Sequence, residues 1–262
     1  MSNPFQQDPL DPDTQSSGLD QPAGPVYVEV QFPRLSPIVT YTLMGVTIFI
    51  FLLQVASQRI LGEDYVALLG LKVNEWIMEG QIWRLFTPML LHGSFLHIAF
   101  NMYALFIFGR RLETFYGHGR FLVMYILAGY TGNVLSYIFS PSPSLGASTA
   151  IFGLLGAEAV FLIQNWKVFG PAARADLQNL VILVIINLLI GIGVRFDNWG
   201  HVGGLIGGAV FAWIAGPKLS LQGDFMAVSL VDNRSPSATW LAVLVVGGLF
   251  TFLVVLSTIF QA

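Results

Sequence analysis

The 262-residue sequence has no cysteine and little charge, and each shortage removes a class of function. Without cysteine there are no disulfides, no thiolate nucleophile and no thiolate metal site. Only 10% of residues are charged, against about 25% in an average soluble domain. Too little charge remains for the usual solvated surface, so the composition points to a membrane protein. A net charge of -3 argues against nucleic acid or any strongly charged partner. No HExxH string occurs, which removes the commonest zinc protease, and no metal or cofactor is expected. No two aspartates face each other in apolar segments, which removes aspartyl proteolysis within a membrane.

What is present is apolar and long. A hydrocarbon core about 30 Å thick needs roughly 20 mostly apolar residues as helix. Seven segments meet or approach that length, at 38–56, 90–109, 121–140, 147–166, 177–195, 200–217 and 239–260. The expected fold is all-α, a polytopic membrane helix bundle with a core over 37–217, a loop at 218–238 and a seventh helix at 239–260. Segment 59–88 mixes apolar residues with Glu63, Asp64, Lys72, Glu75 and Glu79. It is expected to lie at the interface with one short amphipathic element. Residues 1–36 are rich in Pro, Gln, Ser and Asp and are expected to be a disordered tail. Their acidic start does not have the order of a signal peptide.

With the N-terminus cytoplasmic, Arg34, Arg110, Arg111, Arg120, Lys167, Arg174, Lys218 and Arg234 fall inside, and Arg59, Lys72, Arg84 and Arg195 outside. The positive-inside rule favours this orientation by about two to one.

Polar residues within such segments are expensive and therefore informative. His92, His97 and Asn101 open the second span, Ser148 opens the fourth, and His201 opens the sixth. Alternate spans cross in the same direction, so these three N-terminal ends must lie on one side of the membrane. His97 and Asn101 are four apart and share a helix face. Phe152 shares the face of Ser148. Gly204 and Gly208 continue the face of His201, and with Gly153 and Gly156 they predict close packing of spans four and six. A serine becomes a good nucleophile when an adjacent base takes its proton, and His201 can be that base. The acid nearest to it in sequence, Asp197, precedes the helix, so a dyad is expected. The backbone N–H of Ser148 and the side chains of His97 and Asn101 are candidate oxyanion donors. Taken singly, Ser148 is also an ordinary helix-start residue, and His201 an ordinary interhelical hydrogen-bonder. Glu158 and Asn187 are read as interhelical hydrogen-bonders, and His118 as a loop residue.

From about 38 to 217 these elements together resemble the rhomboid family. They are Trp83-Arg84, the HxxxxHxxxN spacing of His92, His97 and Asn101, the GxSx element at Gly146–Ser148, and HxxGxxxG at His201, Gly204 and Gly208. The resemblance implies a six-helix serine endopeptidase open to water from the outer side. Ser148 would be its nucleophile, His201 its base, and His97 and Asn101 would line its oxyanion hole. His92 would support the hydrated pocket. Phe152 stands where the family often has a tyrosine stacked on the histidine. Glu113 resembles the family's structural acid near the inner end of span two. The seventh span resembles the "six plus one" subgroup and has no catalytic part. Expected partners are the bilayer and single-span membrane substrates cut near the outer face. Two other readings remain: a non-catalytic binding member of the same superfamily, and a small transporter built on the polar cavity.

Overall fold

A helix that is apolar on every side is stable only where lipid or protein covers all of it, and this chain contains both kinds. In the computed structural model, residues 30–31, 35–194, 196–223 and 228–261 are described. Most of the tail at 1–36, including Arg34, and also Arg195 lie outside them.

The first helix, α1 (Ile38–Leu61), leads into a structured stretch. This holds α2 (Tyr65–Gly70), α3 (Asn74–Met78) and two 3-10 turns at Ile82–Leu85 and Thr87–Leu90. The single amphipathic element expected over 59–88 is thus four short ones. Span two is a continuous rod of α4 (Phe95–Ala104), a π turn (Leu105–Gly109) and α5 (Arg110–Tyr116). There follow α6 (His118–Phe139), α7 (Ser148–Gln164), the short α8 (Trp166–Phe169), α9 (Pro171–Val194) and α10 (Asn198–Ala215). The last rod comprises α11 (Ser237–Ala242), a π turn and α12 (Gly248–Gln261). All seven expected spans are helical, and the protein is an all-α polytopic membrane bundle.

Among the described residues, four rods are long and apolar enough to cross a membrane on their own: α1, α6, α9 and the α11–α12 rod. Of the most apolar window, 72% is buried in α6, against 22% in α1 and 11% in both α9 and the last rod. The poorly covered helices therefore present themselves to lipid. At the centre sits α7, with Ala150, Leu154, Ala157 and Phe161 among its buried residues.

Close packing of α7 against α10 follows from glycine. A Cβ on Gly204 would overlap the carbonyl oxygen of Thr149, and one on Gly208 that of Gly153. Contacts 149/204 and 153/208 advance together, so α7 and α10 run parallel. On the other side, α6 adds Gly132, whose Cβ would lie 2.6 Å from the Gly200 carbonyl oxygen. The seventh rod docks on α6 through Tyr130–Thr251 at 2.9 Å and Tyr137–Thr258 at 3.0 Å, also in parallel.

The segment expected as a loop at 218–238 contains a β-hairpin. Strand β2 (Leu219–Gly223) pairs antiparallel with β3 (Val228–Asp232), and Val30–Gln31, numbered β1, adds to β3 in parallel. Asn165 fixes the start of β2, accepting from Leu219 N–H at 2.6 Å and donating to Pro217 O at 2.9 Å. Arg120 pairs with Asp232 at 2.9 Å. This small sheet closes the end of the bundle opposite Ser148.

Candidate active site

The start of α7 is set by the residues before it. Gly146 adopts φ +135°, a backbone region that favours glycine, and its N–H donates to Pro88 O at 2.9 Å. The missing side chain also admits a neighbour: a Cβ there would lie 2.7 Å from His97 Nε2. Ala147 then occupies the N-cap and Ser148 the first helical position, where backbone N–H groups have no partner within the helix.

His201 lies one turn into α10, whose first turn is capped by Asp197 Oδ1 on Gly200 N–H at 2.9 Å. The glycine contact of α7 with α10 brings His201 Nε2 to 3.0 Å from Ser148 Oγ. Phe152 stacks flat on the imidazole, with ring centroids 4.2 Å apart and 2° between planes. The histidine's other nitrogen, Nδ1, is buried with no hydrogen-bond partner among the described residues. Asp197 spends one oxygen on the helix cap and does not reach that nitrogen.

On α4, Ser94 caps the helix through His97 N–H at 3.2 Å. His97 and His92 meet edge to face with centroids 5.0 Å apart. His92 lies in the loop before α4, and its Nε2 is 3.5 Å from Ala147 N. Asn101 is buried one turn below His97 on the same face, and no hydrogen bond joins its amide to Ser148 or His201 among the described residues. The structure thus gathers Ser148, His201, Phe152, Gly146, His97 and His92 at one end of three helices.

Of the residues that hold this arrangement from outside it, the sequence pointed to Trp83 and Arg84 but assigned no such role to Gln54 or Lys72. Gln54 on α1 clamps the His92 backbone, accepting from its N–H at 3.0 Å and donating to its carbonyl at 3.2 Å. Lys72 is fully buried and donates to Ser140 O at 2.7 Å and Ser142 O at 2.8 Å. Its backbone also pairs with Ser144, so the segment entering α7 is pinned to the long first loop. Burial lowers the Lys72 amine to about 8, against the opposing attraction of Asp197 and Glu75. A lone lysine set between Leu71 and Val73 was the available signal. Arg84 holds the same loop by donating to Leu71 O at 2.7 Å and Leu68 O at 2.8 Å, while lying over the Trp76 ring. Trp83 donates to Leu69 O at 3.1 Å.

At the other end of span two, Glu113 accepts from Val39 N–H and Thr40 N–H, both at 2.8 Å, and from the Thr40 hydroxyl at 2.6 Å. It supplies the cap that α1 does not have locally. The same carboxylate also binds the His118 ring. His118 is therefore no plain loop residue: it opens α6 and binds Glu113. Asn187 also differs from expectation, donating to Leu183 O within its own helix.

A cleft of about 540 Å³ is lined by Ser140, Ser142, Ser144, Leu145, Phe196 and Asp197, in the segments that precede α7 and α10.

The Rhomboid domain matches residues 79–218. The chain is 40% identical over 221 residues to "Rhomboid protease GluP" of Bacillus subtilis (strain 168), covering 84% of this chain and 41% of that protein. It is 36% identical over 149 residues to "RHOMBOID-like protein 5" of Arabidopsis thaliana, covering 56% of this chain and 48% of that one. It is 39% identical over 144 residues to "RHOMBOID-like protein 2" of the same plant, covering 53% and 45%. The chain spans about half the length of these relatives or less. With the domain matching more than half of its residues, including every member of the serine–histidine cluster, the chain belongs to the rhomboid family.

Proposed function

We propose that the protein is an intramembrane serine endopeptidase that cuts membrane-protein substrates through a Ser148–His201 dyad. The observation that carries this reading is the 3.0 Å approach of His201 Nε2 to Ser148 Oγ. As Oγ attacks the scissile carbonyl, its proton passes to Nε2, and a tetrahedral oxyanion forms. Collapse breaks the C–N bond, and the imidazolium gives its proton to the leaving amine. Water then enters, loses a proton to the same nitrogen, and hydrolyses the acyl-serine. The stacked Phe152 ring holds the imidazole plane in the absence of a carboxylate on Nδ1. Ser148 N–H at the helix start and the side chains of His97 and Asn101 are the proposed oxyanion donors.

The orientation follows from the basic residues, with the N-terminus cytoplasmic and the dyad toward the outer side. The substrate is a single-span helix that unwinds near the outer face, because a helical peptide bond is hydrogen-bonded and shielded from attack.

Cleavage of a single-span model substrate in liposomes tests the proposal. Ser148→Ala and His201→Ala should each lower turnover by roughly 10⁴-fold or more; cleavage equal to the parent by either variant sinks the mechanism. Asn101→Ala should slow turnover about 10²–10³-fold, and an unchanged rate removes it from the oxyanion hole.

A further inference from the structure

Glu158 is a buried carboxylate that this chemistry does not use. It lies ten residues beyond Ser148 on α7, about 15 Å along the helix axis, and is 1% exposed. Its Oε1 is 3.0 Å from Arg111 Nε on α5. That contact is an ion pair without hydrogen-bond geometry, and neither Oε1 nor Oε2 has a hydrogen-bond donor among the described residues. Arg111 also bonds Asp176 on α9 at 2.8 Å. With Glu158 ionised, two carboxylates and one guanidinium leave this cluster one negative charge in excess.

A cavity of about 190 Å³ opens here between the α4–α5 rod and α9, with Arg111, Glu158, Asp176 and Asn179 among its walls. That is room for roughly six waters at about 30 Å³ each. Phe108, Leu180 and Leu183 complete an apolar side. Arg111 and Asp176 are 39% and 43% exposed in their side chains, so the cavity has an open polar edge at the end of the bundle away from Ser148.

A carboxylate oxygen without a donor, in a bundle bathed by lipid, is costly. A bound group that both donates to this oxygen and balances an ionised Glu158 is cationic and compact. A hard metal ion needs about six or more oxygen ligands, and no cluster of three acidic or histidine side chains exists among the described residues. A primary ammonium needs three acceptors, and Glu158, Asp176 and Asn179 can supply them. The apolar wall and the lipid-facing position of α9 favour an ammonium attached to an acyl chain over a soluble amine.

We infer that this cavity binds a phospholipid with a primary-amine headgroup, its ammonium on Glu158 and its acyl chain along Phe108 and Leu183. The phosphate then faces the exposed edge of Arg111. The inference needs only the bilayer and stands independently of peptide cleavage.

The test uses the full chain in nanodiscs of equimolar phosphatidylethanolamine and phosphatidylcholine with matched acyl chains. Lipid retained after detergent extraction is quantified by mass spectrometry. The parent should retain phosphatidylethanolamine about tenfold over phosphatidylcholine, equivalent to roughly 1.4 kcal/mol. Glu158→Gln should abolish the preference. Leu183→Trp, which fills the mouth and leaves both carboxylates intact, should abolish it with thermal stability in phosphatidylcholine unchanged. Equal retention by the parent, or a preference surviving Leu183→Trp, overturns the inference. So does equal thermal protection by soluble ethanolamine in phosphatidylcholine-only discs, because the site would then take a free amine.

Discussion

Among the helices packed on α7, α10 and α9 touch it by different means. On one side α10 meets it backbone to backbone, with Gly204 against the Thr149 carbonyl and Gly208 against Gly153. On the other side α9 meets it through side chains, with Leu180 and Val184 packed on Phe152 and Leu155. Glycine contacts leave no adjustable atoms, so the α7–α10 distance is set by the main chain itself. Side-chain contacts can re-pack, and beside α9 they leave the cavity at Glu158 unfilled. Each geometry suits what lies there. A proton transfer requires donor and acceptor within hydrogen-bond reach, whereas a cavity needs only walls of the right chemistry.

The contrast breaks most visibly at Gly204. Gly204→Leu must drive a side chain into the Thr149 carbonyl, at a cost expected to exceed about 3 kcal/mol. The variant should fail to give a monodisperse folded protein on size exclusion, or should unfold at markedly lower temperature. If it folds normally and cleaves at the parent rate, backbone contact does not place the dyad. On the α9 side, Leu180→Ala should lower stability by about 2 kcal/mol, the low end for such truncations, with the dyad intact. A loss as severe as that of Gly204→Leu would erase the distinction between the two interfaces.

The smallest effect concerns how the entry to α7 is held. Lys72 has its folded value lowered to about 8 from 10.5. Between those values the unfolded chain binds more protons than the folded one, so stability rises with pH across that window. Below about pH 8 both states carry the proton and the slope vanishes. The rise should reach at most about 1.4 kcal/mol per pH unit and should disappear in Lys72→Met. A thermal-unfolding series from pH 7 to about 10.5 measures it; an identical slope in both proteins would show that the buried amine is not its source.

Much of the site could be read from local spacing. Ser148, His201, Gly204 and Gly208 carry their meaning in one helical period and in the parity of the spans, and the structure places them accordingly. Phe152 also follows from spacing, since four residues return to the same helix face. The supporting residues do not follow. Gln54 reaches His92 across 38 positions, and Lys72 reaches the loop before α7 across 68. The hairpin at 219–232 left only a faint trace, the alternation of Leu219 with Leu221 and of Val228 with Leu230. Each strand is 5 residues long, too short for periodicity to distinguish from a loop.

Hydrophobic length and helical period act along the chain, so residue order alone determined the seven rods, their alternating direction and the end at which the hydroxyl and the imidazole emerge. How near those two groups come depends on which backbones lack intervening side chains, and only the assembled bundle decided that. The same holds for Glu113 capping α1 and for the unpartnered oxygen of Glu158. A polar group's partner is set by distance in space, which sequence separation does not encode.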